Sequence, residues 1–203
     1  MKKFLVGVLI LIACSTLLIS EDLNSSVGVQ KDEIFLKLDT EGHTALINDI
    51  IITKSEDIIS ASNDKTIRVW DSTTGKEKRK ILGEIEVASG EIYTIALSPN
   101  EEFLAVGGNF SNHGIRIYNY KTGKLLGVLL SHTNAVFDLD FSSDGKYLIS
   151  ASADSTAKIW NGDFLTSTPL DTIKFHRGYV NAVKILKKNQ NYFAIIGKDK
   201  KKF

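Results

Sequence analysis

Two sets of serine, histidine and aspartate in this chain have the residue types of a hydrolytic triad. They are His43, Ser60 and Asp64 in the first set, and His132, Ser150 and Asp154 in the second. In such a triad the histidine takes the serine proton and an oxyanion site stabilises the intermediate. Both serines, however, lie within apolar runs typical of strands, and the chain has no Gly-x-Ser-x-Gly motif. The residues therefore favour a structural role for both sets over catalysis.

A repeated succession of short strands carries these residues. Four turns of similar composition end at Ile58, Phe103, Tyr147 and Tyr192, which are 45, 44 and 45 residues apart. Each turn lies between two β-branched or aromatic runs, which is typical of strands. A second kind of turn ends in Thr-Gly-Lys at 74–76 and 122–124, where glycine can supply a positive φ. The pattern predicts an all-β chain of four-stranded antiparallel units with almost no helix.

The repeat resembles the WD-repeat family of β-propellers, whose blades are four-stranded and about 40–45 residues long. The family signature is a Gly-His pair, a turn aspartate and a Trp-Asp pair. Gly42-His43, Asp64 and Trp70-Asp71 match it, and Ser131-His132, Asp154 and Trp160-Asn161 match it in part. The resemblance covers 34–203 and implies three full blades and half of a fourth. The blade ranges are about 43–82, 88–130, 132–175 and 176–203.

The resemblance also implies a buried hydrogen-bond network in two of the blades. The residues implied are His43, Ser60, Asp64 and Trp70 in one blade, and His132, Ser150, Asp154 and Trp160 in the other. In each network the imidazole lies between the carboxylate and the serine hydroxyl, and the hydroxyl accepts from the indole N–H. The second unit has Val106 and Tyr118 in place of the serine and the tryptophan, which predicts mainly apolar packing there.

The fourth unit stops before its signature is complete. His176 and Asp199 occupy signature positions, but the matching tryptophan would fall at position 205, beyond Phe203. Residues 34–38 are predicted to be an outer strand that pairs with a blade this chain lacks. We therefore expect a truncated propeller, with assembly of copies into a ring as the alternative.

The first 20 residues predict a secretory signal. Lys2 and Lys3 precede an apolar stretch at 4–12, and the residues at 11–14 resemble the lipobox of bacterial lipoproteins. This interpretation makes Cys14 the lipidated residue and 21–33 a polar spacer. The alternatives are cleavage after Ser15 or an uncleaved anchor. All three predict a chain outside the cytoplasm, in the bacterial periplasm or cell envelope or secreted, with membrane contact only through this segment.

Composition excludes several classes of site. The net charge of +1 gives no electrostatic argument for nucleic acid, and the single cysteine excludes an internal disulfide and a thiolate zinc site. We predict no cofactor and no metal.

The predicted function is a non-catalytic scaffold that binds other proteins. By the family resemblance, residues near the start of each inner strand face partners, namely Asn48, Tyr93, Phe137 and Asn181. One alternative is a secreted enzyme or ligand-binding propeller, for which the inner-strand acids Asp49, Asp138 and Asp140 are the candidates. The other alternative is a gene fragment without function.

Overall fold

The computed structural model describes residues 42–83, 89–164, 166–174, 176–186 and 192–198. The predicted signal with Cys14, the spacer, the strand at 34–38 and Asp199 lie outside the described residues. Within the described ranges the regular structure is β throughout, with fourteen strands and no helix. No helix in this part of the chain has the length and apolar character that crossing a bilayer requires.

The strands form four antiparallel sheets in chain order, called blades 1 to 4. Blade 1 contains β1 (Ile47–Ile52), β2 (Ile58–Ser62), β3 (Thr66–Trp70) and β4 (Glu77–Leu82). Blade 2 contains β5 (Glu91–Leu97), β6 (Phe103–Asn109), β7 (Ile115–Asn119) and β8 (Leu125–Leu129). Blade 3 contains β9 (Val136–Phe141), β10 (Tyr147–Ser152), β11 (Ala157–Asn161) and β12 (Asp171–Ile173). Blade 4 contains β13 (Val180–Ile185) and β14 (Phe193–Gly197), so the predicted all-β architecture is confirmed.

The hydrophobic core lies between consecutive blades. In blades 1 to 3 the second and third strands are buried along most of their length, as β2 and β3 show. One cluster joins Ile59 and Ile67 of blade 1 to Ile95 of blade 2. A second cluster joins blades 2 and 3, and a third joins blades 3 and 4. Each blade is therefore stabilised by the blades it packs against, as in other repeat architectures.

Tight turns connect the strands within each blade. Gly75 and Gly123, in the two Thr-Gly-Lys turns, have φ of 66° and 70°, as predicted. Three non-glycine residues also adopt positive φ in the turns between the second and third strands, Lys65 at 69°, His113 at 52° and Ser155 at 70°. Such a backbone is rare for residues with a side chain and persists where neighbouring contacts fix it. Lys65 and Ser155 directly follow the signature aspartates.

The first strand of each blade carries a β-bulge near its start. In β1 the register passes from Ile47 directly to Asp49, so Asn48 has no partner across the ladder. The same irregularity leaves Tyr93, Phe137 and Asn181 unpaired in β5, β9 and β13. A bulge bends its strand and redirects the side chain of the extra residue.

Candidate protein-interaction surface

The side chains of the first predicted network lie within hydrogen-bonding distance in blade 1. His43 Nδ1 lies 2.8 Å from Asp64 Oδ2, and His43 Nε2 lies 2.7 Å from Ser60 Oγ. The Trp70 indole N–H donates to Ser60 Oγ at 2.8 Å. Asp64 Oδ1 accepts from the Thr66 backbone N–H and from its hydroxyl, at 2.9 and 2.6 Å. The network therefore links the segment that precedes β1, the turn after β2 and the end of β3.

Blade 3 repeats this geometry almost unchanged. His132 lies 2.7 Å from both Asp154 Oδ2 and Ser150 Oγ, and the Trp160 indole N–H donates to Ser150 Oγ at 2.9 Å. Thr156 donates to Asp154 as Thr66 does to Asp64. The structure thus brings together all eight residues named for the two networks.

Blade 2 has apolar side chains at the corresponding positions. Val106 and Tyr118 replace the serine and the tryptophan, and both are buried in the cluster between blades 1 and 2. Phe110 occupies the place of the aspartate and belongs to the same cluster. The Arg116 guanidinium carbon lies 3.6 Å from the centroid of the Phe110 ring, a cation–π contact. The space that a polar network fills in blades 1 and 3 is here filled by an aromatic ring.

Neither serine is placed for attack on a substrate. The exposed fractions of Ser60 and Ser150 are 3% and 0%, and each hydroxyl oxygen already accepts from an indole N–H. Burial acts to raise the pKa of Asp64, but hydrogen bonds from Thr66 and His43 outweigh it, and the pKa of this carboxyl is lowered. The pKa of Asp154 is lowered for the same reasons. Both carboxylates are thereby held in the charged form that binds the histidine.

The inner-strand acids join consecutive blades. The backbone N–H of Ile95 donates to Asp49 Oδ2 at 2.8 Å, and that of Val183 donates to Asp138 Oδ2 at 2.9 Å. Asp140 accepts from the backbone N–H of Ile185 at 2.7 Å and forms an ion pair with Lys184 at 2.5 Å. The sequence did not reveal this role, although each pair is 45 or 46 residues apart. That separation, one repeat period, was the available signal.

Burial sets the charge state of two of these acids. Burial raises the pKa of Asp49, and hydrogen bonds from Ile95 and Thr94 offset this only in part. The pKa of Asp138 is raised for the same reason, with the nearby charge of Asp49 adding to the effect. Among the described residues, no group of three or more histidine, cysteine, aspartate or glutamate side chains has the arrangement of a metal site.

The four residues predicted to face partners are the four bulge residues. Two of them touch, since the rings of Tyr93 and Phe137 have centroids 6.0 Å apart. The Asn48 side-chain amide donates to the Ile92 carbonyl at 2.6 Å and so also ties blade 1 to blade 2. Asn181 is exposed. The bulges therefore bring one side chain from each blade to the same end of the inner strands.

Tyr179 extends the aromatic pair into a row of three. Its ring meets Phe137 edge to face with centroids 6.1 Å apart, and 53% of its surface is exposed. It stands directly before β13, two residues ahead of the bulge residue Asn181. Repeat alignment pointed to Asn181 and missed Tyr179. The signal in the sequence was an aromatic residue at the entrance to an inner strand.

A family model described as "WD domain, G-beta repeat" matches residues 36–71 and 123–161. These two stretches hold both hydrogen-bonded networks. Blade 2, where the network residues are replaced, lies largely between them.

Curated relatives are eukaryotic proteins much longer than this chain. A ribosome biogenesis protein WDR12 homolog of Trichoplax adhaerens is 32% identical over 171 residues, which cover 81% of this chain and 38% of that protein. The target of rapamycin complex subunit wat1 of Schizosaccharomyces pombe is 32% identical over 106 residues, 51% of this chain and 32% of that protein. Protein hir1 of Emericella nidulans is 28% identical over 168 residues, 70% of this chain and 16% of that protein. The chain thus spans well under half of these relatives.

The relatives overturn the expected location. We expected an extracytoplasmic bacterial protein from the apolar stretch at 4–12 with its preceding lysines and from the resemblance of residues 11–14 to a lipobox. The relatives described above come from eukaryotes and are named for ribosome biogenesis and for a target of rapamycin complex, and neither name is that of a bacterial envelope protein. An apolar run with two preceding lysines is a short and permissive pattern, so it is weak evidence for location. The signal itself lies outside the described residues and stays a prediction.

Two solved structures share the fold. The structure of U3-55K has a TM-score of 0.62 and 26% identity, over 70% of this chain and 43% of that chain. The crystal structure of the RRP9 WD40 repeats has a TM-score of 0.63 and 26% identity, over 70% of this chain and 42% of that chain. Together with the repeat matches and the four-stranded blades, these structures support the WD-repeat family for this chain, whose fold is that of a WD40 β-propeller.

Proposed function

We propose that this chain is a non-catalytic scaffold that binds other proteins through the surface formed by its bulge residues. One observation carries the proposal. Each inner strand interrupts its ladder at the same point, and the bulges bring Tyr93 and Phe137 of neighbouring blades together at the surface, where Tyr179 joins them. Partly exposed aromatic side chains on a rigid sheet are typical of residues that contribute most to protein binding.

The groups that could do chemistry are engaged elsewhere. The two serines are buried, and each accepts a hydrogen bond from a tryptophan. The inner-strand acids accept hydrogen bonds from the following blade. The secreted enzyme or ligand-binding propeller that the sequence left open therefore has no support in these residues. Relatives that are named as a complex subunit or a biogenesis protein support a role within a protein assembly.

Site-directed photo-crosslinking tests this function. The full chain would carry benzoylphenylalanine at position 137 in one sample and at position 147 in a control. Tyr147 is also an exposed aromatic, but it begins β10, at the end of blade 3 away from the bulges. We expect discrete crosslinked protein partners, identified by mass spectrometry, from position 137 and not from position 147. Equal products from both positions, or none from either, would contradict a partner-binding surface at the bulges.

A further inference from the structure

Glu91 lies beside the aromatic row and gives one end of it a negative charge. It is two residues before Tyr93 on β5, and the two side chains are partly exposed while the intervening Ile92 is buried. They therefore share the exposed face of the strand despite the bulge. Burial and, secondarily, the charge of Glu91 raise the pKa of the Tyr93 phenol, which agrees with a close approach of the two groups.

The Glu91 carboxylate is only partly satisfied by its neighbours. The Gly90 backbone N–H and the Asn109 side-chain amide both donate to Oε2, each at 3.2 Å. Among the residues that the structure describes, no donor lies within hydrogen-bonding distance of Oε1. A carboxylate held by one oxygen keeps acceptor capacity for a further donor.

The other charged residues around the row either accept hydrogen bonds from the next blade or lie on the blade 4 side. Asp49 and Asp138 are partly buried and accept hydrogen bonds from the next blade. The positive charges lie on the blade 4 side, where Lys184 pairs with Asp140 and Arg177 is two residues before Tyr179. The negative end of the row is therefore the Tyr93 end.

We propose that the Tyr93–Phe137 pair, flanked by Glu91, binds an arginine side chain of a partner protein. The proposal rests on the proposed function that this surface binds proteins. A guanidinium group is attracted to the negative face of an aromatic ring, and its planar N–H groups match a carboxylate. The ring pair and Glu91 offer both features within three residues of β5 and the neighbouring bulge of β9. A purely apolar partner would cover Glu91 Oε1 without supplying a donor to it, which is unfavourable.

Peptide binding to the full chain tests this assignment. The probe is the acetylated and amidated pentapeptide Gly-Gly-Arg-Gly-Gly, whose only charge is the guanidinium. The matched control peptide carries citrulline, which has nearly the same shape without the charge. Titrations followed by the NMR signals of the aromatic rings give the dissociation constants. We expect saturable shifts of the Tyr93 and Phe137 ring signals with the arginine peptide and much weaker binding of the citrulline peptide.

Variants of the chain locate the binding. We expect Tyr93→Leu to weaken binding about fivefold and Glu91→Gln to weaken it about threefold, the sizes typical of an exposed cation–π contact and of a surface ion pair. Tyr147→Leu, which removes an exposed aromatic ring at the other end of blade 3, should leave binding unchanged. Each variant is compared with the wild type by circular dichroism and thermal melting, so that a loss of fold is recognised.

Several outcomes would overturn the proposal. They are equal affinity for the arginine and citrulline peptides, the same loss of binding in Tyr147→Leu as in Tyr93→Leu, tighter binding of the corresponding lysine peptide, and no ring shifts at all. These outcomes differ from failure of the scaffold function. Crosslinking from position 137 without preference for the arginine peptide would support the scaffold function and reject the arginine site. Binding of the arginine peptide without crosslinked partners would support the arginine site and reject the scaffold function.

Discussion

At the scale of single residues, the two networks use serine, histidine and aspartate, the residue types of a catalytic triad, to form buried hydrogen bonds between parts of a blade. Ser60 resembles the nucleophile of a triad only in its neighbours, because its oxygen accepts from Trp70 and is closed off from solvent. With one proton between His43 and Asp64 and one between Ser60 and His43, every polar atom has a partner. Removing one member leaves another buried and unsatisfied, which costs more than the bond itself contributed.

We predict that Ser60→Ala and Ser150→Ala each lower the free energy of unfolding by about 1–3 kcal/mol. Each substitution leaves a buried indole N–H and a histidine nitrogen without a hydrogen-bond partner. Urea denaturation followed by tryptophan fluorescence measures the change. Thr73→Ala, in an exposed turn after β3, serves as the control and should have little effect. A stability of either serine variant equal to that of the control would contradict a structural role for the network.

The signature aspartates and the inner-strand aspartates should respond to pH in opposite directions. The pKa of Asp64 is lowered in the folded chain, so its stabilising contribution is present above the unfolded value of about 3.9 and is lost as the pH falls. Asp64→Asn should therefore cost more stability at pH 7 than at pH 3. The pKa of Asp49 is raised in the folded chain, so the stability that Asp49 contributes is present at low pH. It is lost as the pH rises through the folded-state pKa.

The stability of the matched variant Asp49→Asn, measured relative to the wild type, should accordingly increase between pH 3 and pH 7. Urea denaturation at both pH values gives the two differences. If the differences for Asp64→Asn and Asp49→Asn changed with pH in the same direction, the assignment of opposite pKa shifts would be wrong.

At the scale of elements, the inner strands do two things at once. Their bulges turn one residue out of the ladder toward solvent, and the residue after two of those bulges, Asp49 or Asp138, accepts from the neighbouring inner strand. The surface row and the links between blades are therefore built on adjacent positions. Blade 2 has Thr94 at this position, and its hydroxyl donates back to Asp49 at 3.2 Å.

Amide hydrogen exchange should reveal the links between blades one at a time. We predict that Asp138→Ala accelerates exchange of the Val183 amide, because its acceptor is removed, and leaves the Ile95 amide unchanged. Asp49→Ala should do the opposite. NMR-detected exchange resolves the two amides, and each variant is the control for the other. Acceleration of both amides by either variant would indicate general loosening instead of a local link.

At the scale of the whole molecule, stability lies in the contacts between blades. Ile95 of β5 packs in the cluster shared with blade 1. Ile50 holds the position in β1 that matches Ile95, and Ile52 the position that matches Leu97, which packs against the same cluster. In β1 these side chains are 42% and 70% exposed. Among the described residues, no sheet packs on this side of β1. This face is the apolar surface that a neighbouring blade covers elsewhere in the fold.

We predict that the double variant Ile50→Thr with Ile52→Thr binds less of the hydrophobic dye anilinonaphthalene sulfonate than the wild type and keeps nearly the same melting temperature. Threonine retains the preference for a strand while removing apolar surface. Ile95→Thr, at the buried equivalent of Ile50, should instead lower the melting temperature, since it buries a hydroxyl. Unchanged dye fluorescence in the double variant would show that Ile50 and Ile52 are not accessible as the structure places them.

The sequence by itself determined the strands, the repeat and the network residues. β-branched runs and turn chemistry are local, and the signature residues His43, Asp64 and Trp70 were identified by the resemblance to the WD-repeat family. The same local reasoning misjudged the location, because a short apolar run carries little information. Only the tertiary structure decided that Asp49 and Asp138 bind the next blade, and that Tyr179 completes an aromatic row beside Glu91. Those contacts join residues about one repeat apart, and they depend on how neighbouring blades pack and where each strand bulges, which no pattern within a single strand encodes.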